Sequence, residues 1–139
     1  MSTEQNKALA NRLVNEVFNQ RNLGLMDDLL SPNFVEHEQL PPGIPDGPEA
    51  PKAMFNMLFS AFPDFQTTVE HMVAEGDLVV LHMTWTGTQQ GEFMGIPPTG
   101  KSMSMKVIDI LRIVDGKFLE HWGVTDMMTM MQQLGVMPE

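Results

Sequence analysis

The stretch Ser102-Met103-Ser104-Met105-Lys106-Val107-Ile108-Asp109-Ile110-Leu111-Arg112-Ile113 reads as a β-strand, and its alternation decides the fold. Successive side chains of a strand point to opposite faces, so Met103, Met105, Val107, Asp109, Leu111 and Ile113 share one face. A single acid interrupts an otherwise apolar row. A carboxylate there has to be hydrogen-bonded, paired or protonated, because an isolated buried charge is costly enough to change its own protonation state. Two readings stay open for Asp109: chemistry in an apolar cavity, or a structural acid satisfied by arginine or backbone amides.

Working outward, the same period of two runs through residues 66–75, 77–90, 101–114 and 117–124, each rich in β-branched side chains. Gly76-Asp77 and Asp115-Gly116 supply tight turns, which predicts two antiparallel hairpins. Residues 91–100, with Pro97-Pro98 near the end, form a longer loop.

The first half has helical spacing instead. Ser2 and Gln5 form a capping-box pattern ahead of Leu9, Leu13, Val14, Val17 and Phe18, predicting a helix over 3–20. A short helix over 25–30 stops near Ser31-Pro32, after which Phe34-Val35-Glu36-His37 enters a loop. The breakers Pro41-Pro42-Gly43 and Pro45-Asp46-Gly47 precede a third helix. Pro48 opens it, its face carries Met54, Phe55, Leu58, Phe59 and Phe62, and Pro63 closes it. A last helix over 127–134 is capped by Thr125 or Asp126 and ended by Gly135.

Helices followed by a meander of long strands define an α+β fold in one domain spanning 1–139. The helices cover one face of a curved antiparallel sheet, giving a cone with an apolar interior. Its other face carries Leu78, Val80, Ile108, Ile110, Phe118 and Trp122, more apolar than solvent contact requires, and a homodimer through that face is expected.

Composition narrows the function. Eighteen acids against eight basic residues give a formal charge of -10, which repels phosphate backbones and argues against nucleic acid. No apolar run is long enough to cross a membrane and the start is polar, so a cytoplasmic protein is expected. With no cysteine there is no disulfide and no thiolate metal site. Histidine pairs at metal-binding spacing are absent too, so no metal is expected, and the lack of phosphate loops and serine-nucleophile motifs argues against NTPases and the usual hydrolases. The fourteen methionines fill irregular core gaps or line an adaptable apolar pocket.

Several segments together carry a family resemblance. They are Asn19-Gln20-Arg21-Asn22-Leu23, Leu29-Leu30-Ser31-Pro32-Asn33-Phe34-Val35-Glu36-His37, Ala61-Phe62-Pro63-Asp64, the run from Gly87 to Lys101, Ile108-Asp109-Ile110-Leu111-Arg112-Ile113, Glu120-His121-Trp122 and Gln132-Gln133-Leu134-Gly135. In this order and over nearly the whole chain, they resemble the SnoaL-like polyketide cyclases. The resemblance implies the NTF2-like cone, whose cavity holds hydrophobic small molecules. It also implies an intramolecular aldol closure of a polyketide ester, promoted by a carboxylate and a histidine on adjacent strands without metal or cofactor. Carried over by position, the family histidine falls on Asp109 and the family acid on Gly123.

The residues themselves offer a candidate site. Aldol closure or isomerisation needs a base to take a proton beside a carbonyl and a donor for the enolate oxygen. Asp109 is the candidate base, since an apolar cavity disfavours its charged form and makes it more basic than an exposed aspartate. The Asp115-Gly116 hairpin makes His121 its neighbour on the next strand. His37 sits in the loop over the cavity mouth, either polarising a substrate oxygen or idle on the surface. Met83, Trp85, Phe55, Phe59, Phe93 and Met94 are candidate pocket walls, with core packing as the alternative for each. His82 and Arg112 fall on the opposite face. Two other functions stay open: epoxide hydrolysis with Asp109 activating water, and a non-catalytic small-molecule-binding dimer.

Overall fold

The computed structural model describes residues 2–136. Five strands form one curved, unclosed sheet in the order β1-β5-β4-β3-β2. They are β1 (Leu30–Glu36), β2 (Gln66–Glu75), β3 (Leu78–Thr88), β4 (Ser102–Val114) and β5 (Lys117–Thr125). The last four are antiparallel neighbours joined as the turns predict. The helices are α1 (Thr3–Arg12), α2 (Met26–Leu29), α3 (Glu49–Ala61) and α4 (Met127–Gln133). The Ser2–Gln5 capping box is present, and Asp126 caps α4 by accepting from the Thr129 amide at 3.2 Å.

On β4, every odd position from Met103 to Ile113 is buried, Asp109 included, while the residues between them are more exposed. Against that face lie the apolar sides of α1 and α3, with Val17, Phe55, Leu58 and Phe62 in the core.

Three local features depart from the sequence reading, and each reshapes the interior. Residues 30–36 are not loop but strand β1, which pairs parallel to β5 and makes the sheet mixed. Beyond its end the His37 amide still donates to the His121 carbonyl at 2.9 Å, so alternation continues: Phe34, Glu36 and Glu38 turn inward, Val35 and His37 outward.

The predicted helix over 3–20 changes winding after Arg12, with residues Leu13–Asn19 forming a π-helix. On an α-helix residues five apart diverge by about 140°. The wider i→i+5 winding brings Leu13 and Phe18 to the same side, and both line the interior.

In β5, Phe118 pairs with Ile113 and Glu120 with Arg112, leaving Leu119 unpaired as a bulge. Phe118, predicted on the outer face, is therefore fully buried inside, and His121 shares its side.

Candidate active site

Between the sheet and the helices lies a cavity of about 360 Å³. Its wall is apolar and largely aromatic, built from Leu13, Phe18, Phe55, Leu58, Trp85, Phe93 and Met105, with Leu40, Pro41 and Pro42 also lining it. Phe18 stacks on Phe55 at 4.2 Å between ring centroids, and Trp85 meets Phe55 edge-on at 5.6 Å. The Trp85 indole N–H is buried with no protein acceptor.

One side of the cavity is polar. Asp109 from β4, His121 from β5, Glu36 at the end of β1, Glu38 just beyond it and Thr125 converge there. Cross-strand register sets Asp109 opposite Gly123 and Leu111 opposite His121, so the His121 ring reaches Asp109 diagonally. Its Nε2 donates to Asp109 Oδ1 at 2.7 Å and its Nδ1 to Glu36 Oε1 at 2.5 Å. Glu36 Oε1 also accepts from the Glu38 amide at 3.0 Å, which ties the loop to the strand.

Burial alone would push the His121 pKa down, but its hydrogen bonds to Asp109 and Glu36, with the charges of those two carboxylates, outweigh it and lift the value to about 10. His121 is thus an imidazolium at neutral pH with both N–H groups committed. Glu38 moves the other way from a carboxylate's habit: burial, then the negative charges of Asp109 and Glu36, raise its pKa against the opposing pull of His121. The Thr125 hydroxyl donates to Glu38 Oε2 at 3.3 Å.

Among the described residues, Glu36, Glu38 and His121 are the group whose ligand atoms lie close enough for a cation, within 4.8 Å of one another. Both His121 ring nitrogens donate to carboxylates, so neither offers a lone pair. The cluster is an ion-pair network.

The structure sorts the sequence candidates clearly. Asp109, His121, Trp85, Phe55, Phe93 and Met94 line the cavity. His37 does not: it is on the outer side of the sheet, stacked on Trp122 at 4.8 Å and bonded to Glu120 at 2.8 Å, because alternation along β1 turns it away. Met83 is fully buried in solid core, where α1 packs over β3. Phe59 is turned toward the Arg21 guanidinium, 5.4 Å from its ring. Gly123 has no side chain to offer, and the Glu38 carboxyl covers it. Arg112 lies outside, as predicted, bonding Asp77 at 2.6 Å and Glu120 at 2.9 Å. Glu36 and Glu38 are the polar residues that sequence reasoning missed; recognising β1 as a strand would have placed both beside Phe34.

A curved α+β cone enclosing an apolar cavity, with Asp109 and His121 paired at one side, defines the class: the NTF2-like fold. The SnoaL-like polyketide cyclase profile matches residues 8–134, and the chain belongs to that family. It is 33% identical over 131 residues to aklanonic acid methyl ester cyclase DauD of Streptomyces sp. (strain C5), covering 88% of this chain and 80% of that one. Nogalonic acid methyl ester cyclase of Streptomyces nogalater is 28% identical over 119 residues, covering 85% and 89%. Among solved structures, TsrD from Streptomyces laurentii superposes with a TM-score of 0.88 at 29% identity, covering 99% of each chain.

Proposed function

We propose that this protein is a cofactor-independent cyclase that closes a ring in a hydrophobic polyketide ester by intramolecular aldol addition. The observation that carries this reading is Asp109. One of its oxygens is held by the His121 imidazolium, and its side chain borders an apolar cavity sized for a small molecule.

Asp109 is the base, taking a proton from the carbon beside a substrate carbonyl through its second oxygen. His121 orients that carboxylate, and its charge offsets the anion that develops nearby. Glu36 positions the imidazolium from the other side. The cyclase names of the two curated relatives agree with this chemistry and suggest the probe.

The test uses aklanonic acid methyl ester, following loss of substrate and appearance of a cyclised product of equal mass. Asp109→Asn is expected to lower kcat by about 100-fold or more. Turnover by that variant at the wild-type rate sinks the assignment, and saturable binding without turnover by the wild type favours a non-catalytic binder.

We extend the reading to assembly. Val80, Ile108, Ile110 and Trp122 lie on the sheet face that the helices leave uncovered, with Ile108 43% exposed, and a homodimer would cover them. Light scattering of the wild type against Ile108→Lys tests it: a wild-type monomer ends the proposal.

A further inference from the structure

Gly123 has its missing side chain replaced through space. A Cβ built there would collide with Glu38 Oε1 and lie 2.9 Å from both Asp109 Oδ1 and His121 Cε1. A side chain at 123 and the Glu38 carboxyl therefore compete for one volume, directly beside the Asp109–His121 pair. Glu38 reaches it from the segment after β1, anchored by its amide on Glu36 and by the Thr125 hydroxyl on its Oε2. Thr125 lies two residues beyond Gly123 on β5, so the carboxyl is held flat over that strand.

Both His121 N–H groups are already spent on carboxylates, so the imidazolium has no proton directed at a substrate. The site still needs an acid. Among the described residues, the charged groups facing the Glu38 carboxyl are His121 from β5, Asp109 from β4 and Glu36 from β1, and the Thr125 hydroxyl bonds it. Were Glu38 ionised, three carboxylates would surround one imidazolium in a largely apolar cavity. Burial and the two neighbouring anions therefore favour its protonated form.

We propose that Glu38 is the general acid of this site, and that glycine is needed at position 123 to admit it. The inference rests on the cyclase reading above. Asp109 takes the proton from the carbon beside the first carbonyl, and the C–H electron pair becomes the enolate. The enolate carbon adds to the second carbonyl carbon, forming the C–C bond, while that carbonyl's π pair moves to its oxygen. The oxygen takes the Glu38 proton. After release, Asp109 gives up its proton and Glu38 regains one through solvent, so the net reaction is an isomerisation.

The experiment compares Glu38→Gln, Glu38→Ala, the double variant Glu38→Ala/Gly123→Asp and Asp109→Asn on aklanonic acid methyl ester between about pH 5 and pH 9, a range spanning ordinary and raised carboxyl values. Glu38→Gln keeps the shape and is expected to lower kcat about 100-fold with KM within about twofold. It should also abolish the alkaline fall in kcat that the wild type shows as Glu38 loses its proton. The double variant is expected to regain about tenfold over Glu38→Ala, because loss of the Glu38 carboxyl removes the severest clash at 123 and leaves the two contacts at 2.9 Å to be relieved by small shifts of the Asp109 and His121 side chains.

Full activity in Glu38→Gln beside an inactive Asp109→Asn overturns this inference alone, as does an alkaline limb that persists in Glu38→Gln. Full activity in both variants overturns the cyclase reading itself. If the wild type leaves the probe unchanged, infrared difference spectra decide. A protonated-carboxyl band at mildly acidic pH that Glu38→Gln removes supports the acid, and identical spectra refute it.

Discussion

His121 and His37 each bond a glutamate across the β1–β5 edge, one on each face of the same sheet. Inside, His121 meets Glu36 at 2.5 Å and Asp109 at 2.7 Å, and these three side chains are no more than 15% exposed. Outside, His37 meets Glu120 at 2.8 Å with 36% and 26% exposure, and Arg112 completes that network through Glu120 and Asp77. The residue types nearly match; solvent differs. Water screens the outer charges, so their pairing contributes little and tolerates loss. The inner charges have given up their hydration, so removing one strands the rest. The proposed chemistry sits where desolvation makes each partner indispensable.

The strongest way to break this contrast is His121→Leu. It leaves Glu36 and Asp109 facing each other without a cation, and a loss of about 3–5 kcal/mol in unfolding free energy is expected in denaturant titration at neutral pH. A pH series sharpens the picture. The His121 pKa is raised on folding from 6.5 to about 10, so its stabilising contribution is full below pH 6.5 and is lost as pH rises toward 10. Thermal melts of the wild type should therefore fall across that window. His121→Leu should be nearly flat there, and an equal fall in both would show that another group is responsible.

The smallest effect belongs outside. Hydrogen bonding from His37 holds the Glu120 carboxyl below its usual range, with further help from Arg112, yet these groups face solvent. His37→Ala and Arg112→Ala are expected to shift Tm by less than about 3 °C, with most of that erased by added salt. Catalysis by His37→Ala on the same ester probe should stay at the wild-type level. A large catalytic loss there would mean that the two faces are coupled through β5.

Much of this architecture was legible because period two survives in long strands. The row from Met103 to Ile113 announced both the buried face and its single acid, and the Asp115-Gly116 turn brought His121 within reach of Asp109. What escaped detection lies where one local event shifts the phase of a pattern. Ser31-Pro32-Asn33 hides the strand character of β1, because strand propensity is low there and pairing to β5 overrides it. With β1 unseen, His37 reads as a loop residue, at the cavity mouth or idle on the surface, and nothing draws attention to Glu36 and Glu38. Helical wheels likewise cannot show the change to π-winding at Leu13, which depends on what the segment packs against. Met83 and Phe59 were apolar residues on the correct elements; whether such a residue faces void or solid core is decided by neighbours distant in sequence.

The unpaired Leu119 makes the polarity of β5 hang on one codon. Deleting it would leave Phe118 and His121 two positions apart and still on one side, whereas pairing it regularly would keep them three apart and send one of the two to the opposite hemisphere. In that regular pairing the imidazolium and the aromatic plug would no longer occupy the same chamber. A single extra residue in the ladder, rather than the identity of any cavity-lining side chain, thus decides which members of β5 share the chamber.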